Sequence, residues 1–310
     1  MVADAVYQCV QYLNKPAWDP LLPPPLPEPY YRPYTLVIDL DDMLIHSAWT
    51  TEHGWRTAKR PGVDYFLAYL SQFYEIVLFT TQPAYTAAPI VEKIDQYGAY
   101  IPWKLFRDST RYKNRGLIKD LSYLGRPLER TIILDTNPDH TQLQPDNAIH
   151  LEPWHGTRGD ATSKELVSLI PFLEALAIRG IKDVRTVIKY YDGKHIPTAY
   201  AEAERKVKQD LLDKWERDKQ ASQGAVGWVK AALGSLVRSP SKDVAPETDI
   251  EKVRKNAQRM YLEEQKYWKD NEETIKKQME DDRERQLKEA KSSVLGMMGL
   301  AAPPSQAPPS

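Results

Sequence analysis

The chain has 310 residues, 42% of them apolar and 27% charged, and its 42 basic and 43 acidic side chains leave a net charge of −1. Nucleic-acid binders carry a basic excess, so that class of partner is excluded. The single cysteine, Cys9, has no second thiol for an intramolecular disulfide and lacks the partners of a structural zinc site, so it reads as a small apolar residue on a helix-like stretch.

No run of about 18 apolar residues is present, so the sequence predicts no membrane-spanning helix. It also shows no Arg-rich leader and no apolar signal core at its start. Either the protein is soluble, or the sequence begins after a targeting and anchoring region. Residues 1–33 hold eight prolines between Pro16 and Pro33. Proline fixes φ and removes the backbone donor, which predicts an extended arm, either a docking ligand or a strut lying on its own domain.

From Tyr34 to Val187 strand-like and helix-like patterns alternate. Tyr34–Leu40, Glu75–Thr80 and Thr131–Thr136 are continuous β-rich runs of the kind buried on both faces of a parallel sheet. Ile45–Trp49 and Trp55–Lys59 flank Glu52-His53-Gly54 and predict a hairpin. Helical patterns follow from Pro61, near Ala84–Gln96, at Ile118–Leu124 and at Ser163–Ala177. The predicted class is α/β, with a mostly parallel central sheet, a projecting hairpin and a helical C-terminal extension.

Beyond this domain, residues 188–220 predict a helical extension with a narrow stripe of Val207, Leu211 and Trp215. Residues 221–249, rich in Gly, Ser, Ala and Pro, read as a linker that holds a short amphipathic stretch at Val226–Val237. Residues 250–300 predict one long helix ending near Ala290. Ile250, Val253, Ala257, Met260, Tyr267 and Ile275 form its sticky face, and mixed charges cover the rest. The tail, 301–310, has the composition of a disordered segment.

Chemistry concentrates at the ends of the buried strands, where parallel sheets gather ligands. The first ends in Asp39-Leu-Asp41-Asp42. Two carboxylates so spaced suit a nucleophile and a general acid/base for phosphoryl transfer. Thr80 ends the second strand with a hydroxyl fit for a phosphate oxygen. Lys119 offers a charge to neutralise a transition state. Asp135 ends the third strand with an oxygen ligand suited to Mg²⁺. Singly these are weak signals, because a D-x-D is common and a lone lysine is by default a surface residue.

Together, Asp39-Leu-Asp41-Asp42-Met-Leu-Ile-His46-Ser47, Arg60-Pro61-Gly62-Val63-Asp64, Leu78-Phe79-Thr80, Ile118-Lys119-Asp120-Leu121 and Gln144-Pro145-Asp146-Asn147-Ala148 resemble the FCP/SCP phosphatase domain of the haloacid-dehalogenase class. The stretch from His53 to Gly62, Tyr74–Phe79, Leu169–Glu174 and the proline arm are similar to the Tim-fifty family, the presequence receptor of the mitochondrial inner-membrane translocase. The resemblance is specific from about Pro23 to Val187.

It implies that Asp39 matches the nucleophile, Asp41 the acid/base, Thr80 the phosphate-holding hydroxyl and Lys119 the neutralising lysine, with Asp39, Asp41 and Asp135 as weak Mg²⁺ ligands. Two positions depart from the phosphatase pattern: Met43 stands for Thr or Val, and Thr136 for a metal-binding Asp or Asn. The implied function is therefore a receptor that requires no cofactor, with an active Mg²⁺-dependent aspartyl phosphatase as the alternative. The resemblance also implies the partners: presequences of incoming precursors, the channel-forming subunit met by Arg56 and Lys59 of the hairpin, and the outer-membrane translocase. Presequence contact is implied for the C-terminal helical region, and the location is the inner membrane with the main domain in the intermembrane space.

Overall fold

Tyr34–Ile38 (β1) is a run of five buried residues, and such a run is stable only between two strands with both faces covered. The computed structural model, which describes residues 16, 18–113, 116–157, 159–233 and 245–297, shows that arrangement. Strand β1 lies between Tyr74–Phe79 (β4) and Thr131–Asp135 (β8), parallel to both, with Ile38 level with Leu78 and Leu134. Trp103–Leu105 (β5) and Ala148–His150 (β9) complete a parallel sheet of order β5-β4-β1-β8-β9.

The two faces are covered differently. Val37, Val77, Phe79, Leu105 and Ile133 pack against Leu21 and Leu22 of the proline arm and against Leu121 and Leu124. The arm therefore lies on its own domain, fixed by Leu21 N–H to Tyr123 C=O at 2.7 Å and by Arg126 to Pro23 C=O at 2.9 Å. On the opposite face run Val63–Leu70 (α1) and Glu165–Ile178 (α3), with Tyr74 Oη donating to Leu173 C=O at 2.7 Å. Tyr69 Oη donates to the buried Glu174 at 2.6 Å, so both tyrosines serve the core rather than a ligand. Ala84–Ile94 (α2) makes the crossover from β4 to β5.

Ile45–Thr50 (β2) and Gly54–Lys59 (β3) pair antiparallel as a separate two-stranded sheet, the hairpin expected from the sequence. A second small hairpin, Arg111–Lys113 (β6) with Gly116–Ile118 (β7), takes the first residue of the helix expected at Ile118–Leu124. Only Leu121–Tyr123 is helical there, as one 3₁₀ turn capped by the Asp120 carboxylate on Ser122 N–H. Asp120 also binds Gln144 Nε2 at 2.8 Å, and Asn147 Nδ2 holds the Leu128 and Thr131 carbonyls. These motif residues brace turns.

After Val184–Tyr190 (α4), helix α5 runs unbroken over Ile196–Leu233. The linker expected at 221–249 is thus helical through Leu233. Ala and Ser tolerate a helix well, and each glycine costs only about 1 kcal/mol in its interior. The single helix expected over 250–290 is two, Asp249–Asp270 (α6) and Glu272–Met297 (α7), separated at Asn271, whose N–H and Nδ2 both bond Tyr267 C=O. Cys9, residues 234–244 and the tail 301–310 lie outside the described residues.

The chain forms two compact units, Met1–Ala257 and Gln258–Ser310. In the first, the opening turns of α6 are anchored by Arg254, which pairs with Glu174 at 2.6 Å and Glu204 at 2.9 Å, and by Gln72 Nε2 on Ala257 C=O. In the second, Met260 and Tyr267 of the expected sticky face are exposed, and exposed pairs such as Arg285–Asp282 line α7.

Candidate functional site

The sheet brings β1, β4 and β8 to a common carboxyl edge, and side chains from three chain segments meet there. Lys119 Nζ, with no exposed surface, stands 2.6 Å from Asp39 Oδ1 and 2.6 Å from Asp135 Oδ2. Asp39 Oδ1 meets the ammonium without hydrogen-bond geometry and has no other partner. Asp135 Oδ1 accepts Asn137 N–H at 2.8 Å and lies 3.2 Å from His140 Nδ1. Asp41 turns elsewhere: its carboxylate accepts from Thr80 Oγ1 at 3.4 Å and from Gln82 Nε2.

Charge follows this geometry. Burial raises the Asp39 carboxyl to about 6, against the attraction of Lys119. At Asp135 burial also pushes upward but is outweighed by His140, Lys119 and the Asn137 N–H, and the carboxyl falls to about 2. Asp41 is raised by burial and by its neighbour Asp42, in spite of Thr80 and Gln82.

The donor set does not fit Mg²⁺ as arranged. Both Asp135 oxygens are engaged by donors, and Lys119 already supplies the positive charge between the carboxylates. The expected trio of Asp39, Asp41 and Asp135 does not cluster. The ligand atoms that gather within 4.8 Å belong to Asp39, Asp135 and His140. Thr136 adds no carboxylate, and Met43 is wholly buried, with its carbonyl accepting from Arg60 at 3.1 Å. His140 and Gln82 went unnoticed in the sequence, where neither lies within a recognisable motif.

The hairpin residues Arg56 and Lys59 are both exposed but do not share a face. Successive strand residues face opposite ways, so Arg56 and Lys59, three apart, lie on different faces. Arg56 is level with Ala48. Lys59 is level with Ile45, on the face that carries Trp49 opposite Trp55. Those tryptophans are 57% and 74% exposed, and the Lys59 ammonium is held 2.7 Å from Asp64.

A cleft of about 570 Å³ opens beside edge strand β9, floored by Ile149, Ile188 and Ile196. Asp146, Glu152, Glu165 and Asp192 line it, against Lys189 and Lys194. Glu165 is 90% buried and its Oε2 has no hydrogen-bond partner, though Arg60 lies 3.5 Å away. Burial raises its carboxyl above the ordinary range.

A parallel sheet with D-x-D after its central strand, and a lysine spanning the first aspartate and the next strand's aspartate, defines a phosphatase-type domain of the haloacid-dehalogenase class. Residues 34–185 match the NLI interacting factor-like phosphatase family. The chain is 43% identical over 305 residues to the mitochondrial import inner membrane translocase subunit TIM50 of Gibberella zeae, covering 94% of this chain and 57% of that protein. It is 51% identical over 227 residues to the subunit of that name in Neurospora crassa, covering 73% of this chain and 39% of that one. The structure of Fcp1, an RNA polymerase II CTD phosphatase, aligns with 84% of this chain and 66% of its own at 13% identity and a TM-score of 0.34, too loose a likeness to carry an argument.

The chain belongs to the TIM50 family. It spans about half the length of the curated relatives it matches.

Proposed function

We propose that this chain is the receptor portion of an inner-membrane translocase subunit, which binds presequences in the intermembrane space and passes them to the channel-forming subunit. Its kinship with TIM50 subunits supports a place in the mitochondrial inner-membrane translocase. The observation that carries presequence binding is the cleft beside β9. Presequences are amphipathic, Arg-rich and poor in acids. Such a helix needs an apolar floor and carboxylates at the rim, and Ile149, Ile188 and Ile196 with the exposed Asp146, Glu152 and Asp192 supply both.

The exposed Trp49–Trp55 pair supports the hairpin as the element that meets the channel subunit, because desolvated aromatics dominate binding energy. Contact with the outer-membrane translocase belongs to the same reading. No described helix is long and apolar enough to cross a membrane.

Photo-cross-linking of a labelled synthetic presequence tests this reading. Adducts at Glu152 or along 188–196 support it. Adducts confined to 258–297 move the site to the C-terminal helices, and no saturable adduct contradicts it.

The phosphatase alternative rests on Asp39, Asp41 and Lys119 standing together. Full engagement of Asp135 and the neutral Thr136 weigh against it. We expect no turnover of an aryl phosphate with added Mg²⁺, whereas turnover abolished by Asp39→Asn would establish the enzyme.

A further inference from the structure

A second group of metal-ligating side chains lies apart from the Asp39–Asp135 pair, at the root of the hairpin. Ligand atoms of Asp42, His46 and His155 all fall within 4.8 Å of one another. Asp42 sits on the tight turn that follows β1, where the Leu44 and Ile45 N–H groups both donate to Leu40 C=O, at 3.0 and 3.1 Å, and His46 is the second residue of β2. Asp42 is held at φ +55°, a left-handed backbone uncommon for any residue but glycine.

Its carbonyl accepts Trp154 N–H at 2.8 Å, and that bond brings the next residue, His155, beside the turn. The His46 and His155 rings meet edge to face with centroids 5.7 Å apart. Gly156, at φ +74°, passes so close to His46 that an added Cβ would stand 3.2 Å from its ring. Asp160 accepts the His155 N–H at 3.4 Å and steadies the far side of the loop.

Without an ion, Asp42 Oδ1 and His46 Nδ1 satisfy each other at 2.6 Å. That pairing joins two of the three groups, and His155 stands beside it through its ring contact with His46. Two imidazoles and one carboxylate on a braced turn are the donor set of zinc, cobalt or nickel, whereas magnesium and calcium take oxygen. Asp42 and His46 are 38% and 24% exposed and His155 is exposed, so an ion in solution reaches all three. Zn²⁺ takes such ligands at ~2.0–2.2 Å and would leave its fourth position to water.

The geometry points to Asp42, His46 and His155 as a surface site for a divalent transition metal, best suited to Zn²⁺. The bound ion ties the first strand of the hairpin to the 154–156 loop and stiffens the root from which the hairpin projects. This site stands independently of the receptor reading.

Isothermal titration of the full chain with Zn²⁺, backed by the visible absorption of Co²⁺, tests the proposal. One equivalent should bind. The affinity should fall at least ~10-fold in His155→Ala, and likewise in Asp42→Asn, since even an outer-sphere partner's loss typically costs that much. Asparagine tolerates the left-handed backbone, so Asp42→Asn keeps the turn. Equal affinity in wild type and His155→Ala overturns the site, as does the absence of binding. A loss seen in His140→Ala and not in His155→Ala places the ion at the Asp39–Asp135–His140 cluster and overturns it too.

Discussion

Lys119 Nζ lies 2.6 Å from Asp135 Oδ2, and neither side chain has any exposed surface. The same ammonium is 2.6 Å from Asp39, so one cation compensates two buried carboxylates. Breaking a buried pair by removing one partner costs about 3–5 kcal/mol, because the surviving charge is left uncompensated. Lys119→Met keeps the volume and deletes the charge. Urea unfolding at neutral pH should show a loss of that order, and a loss typical of an exposed pair, below about 1 kcal/mol, would contradict the arrangement.

The raised Asp39 carboxyl gives stability a pH dependence of known sign. The folded state keeps a proton on Asp39 up to about pH 6, whereas the unfolded chain releases it near the ordinary value of 3.8. Folding takes up a proton between those limits, so the Asp39 contribution falls as pH rises through that window. Asp135 behaves oppositely, and its contribution is lost as pH drops from the ordinary value towards about 2. Unfolding of wild type and Asp39→Asn at about pH 4 and about pH 7, which span the Asp39 window, should show the difference between them shifting in favour of the variant at the higher pH. A pH-independent difference contradicts the assignment.

Gly62 stands at φ +86° before α1, and a Cβ there would lie 2.2 Å from Val167 Cγ2. Gly62→Ala therefore meets both backbone strain and overpacking, each about 1–3 kcal/mol. Thermal unfolding should show a marked drop, partly recovered in the double variant with Val167→Ala. Full recovery would mean that the backbone contributes nothing.

On the hairpin, Trp55→Ala should weaken capture of the channel subunit by ~10-fold or more, as expected when a central aromatic is lost. Its side chain is 74% exposed, so melting should stay unchanged. Lys59→Glu should matter less, because Asp64 already holds that ammonium. Co-purification of the channel subunit with each variant reads out both effects, and undiminished capture by Trp55→Ala removes the hairpin from the interface.

The long buried strands were legible because β1, β4 and β8 are continuous β-rich runs, and the hairpin because glycine marks its turn. Strands β5 and β9 hold three residues each, too few for any periodicity. Ile118–Leu124 has the apolar spacing of a helix, yet Asp120 spends its carboxylate on Ser122, Arg111 and Gln144 and ends the strand in a turn. Asp39 and Asp135 were legible as strand-end residues, whereas Lys119 stood out only for its charge, on a stretch that reads as helical but lies just after strand β7. The outward turn of Asp41 to Gln82 was not, because it depends on a contact across strands. The burial of Glu174 between Tyr69 and Arg254 shows only in the fold, because both partners come from distant segments.

The most direct test of the receptor reading is the affinity of a fluorescent presequence for the chain, measured by anisotropy, with and without Glu152→Lys and Asp192→Lys together. Both side chains are exposed in the cleft, so the fold should survive their reversal. The cleft predicts saturable binding that weakens with salt and falls by ~10-fold or more in the double variant. Equal affinity for wild type and variant, or no binding by the wild type, would contradict it.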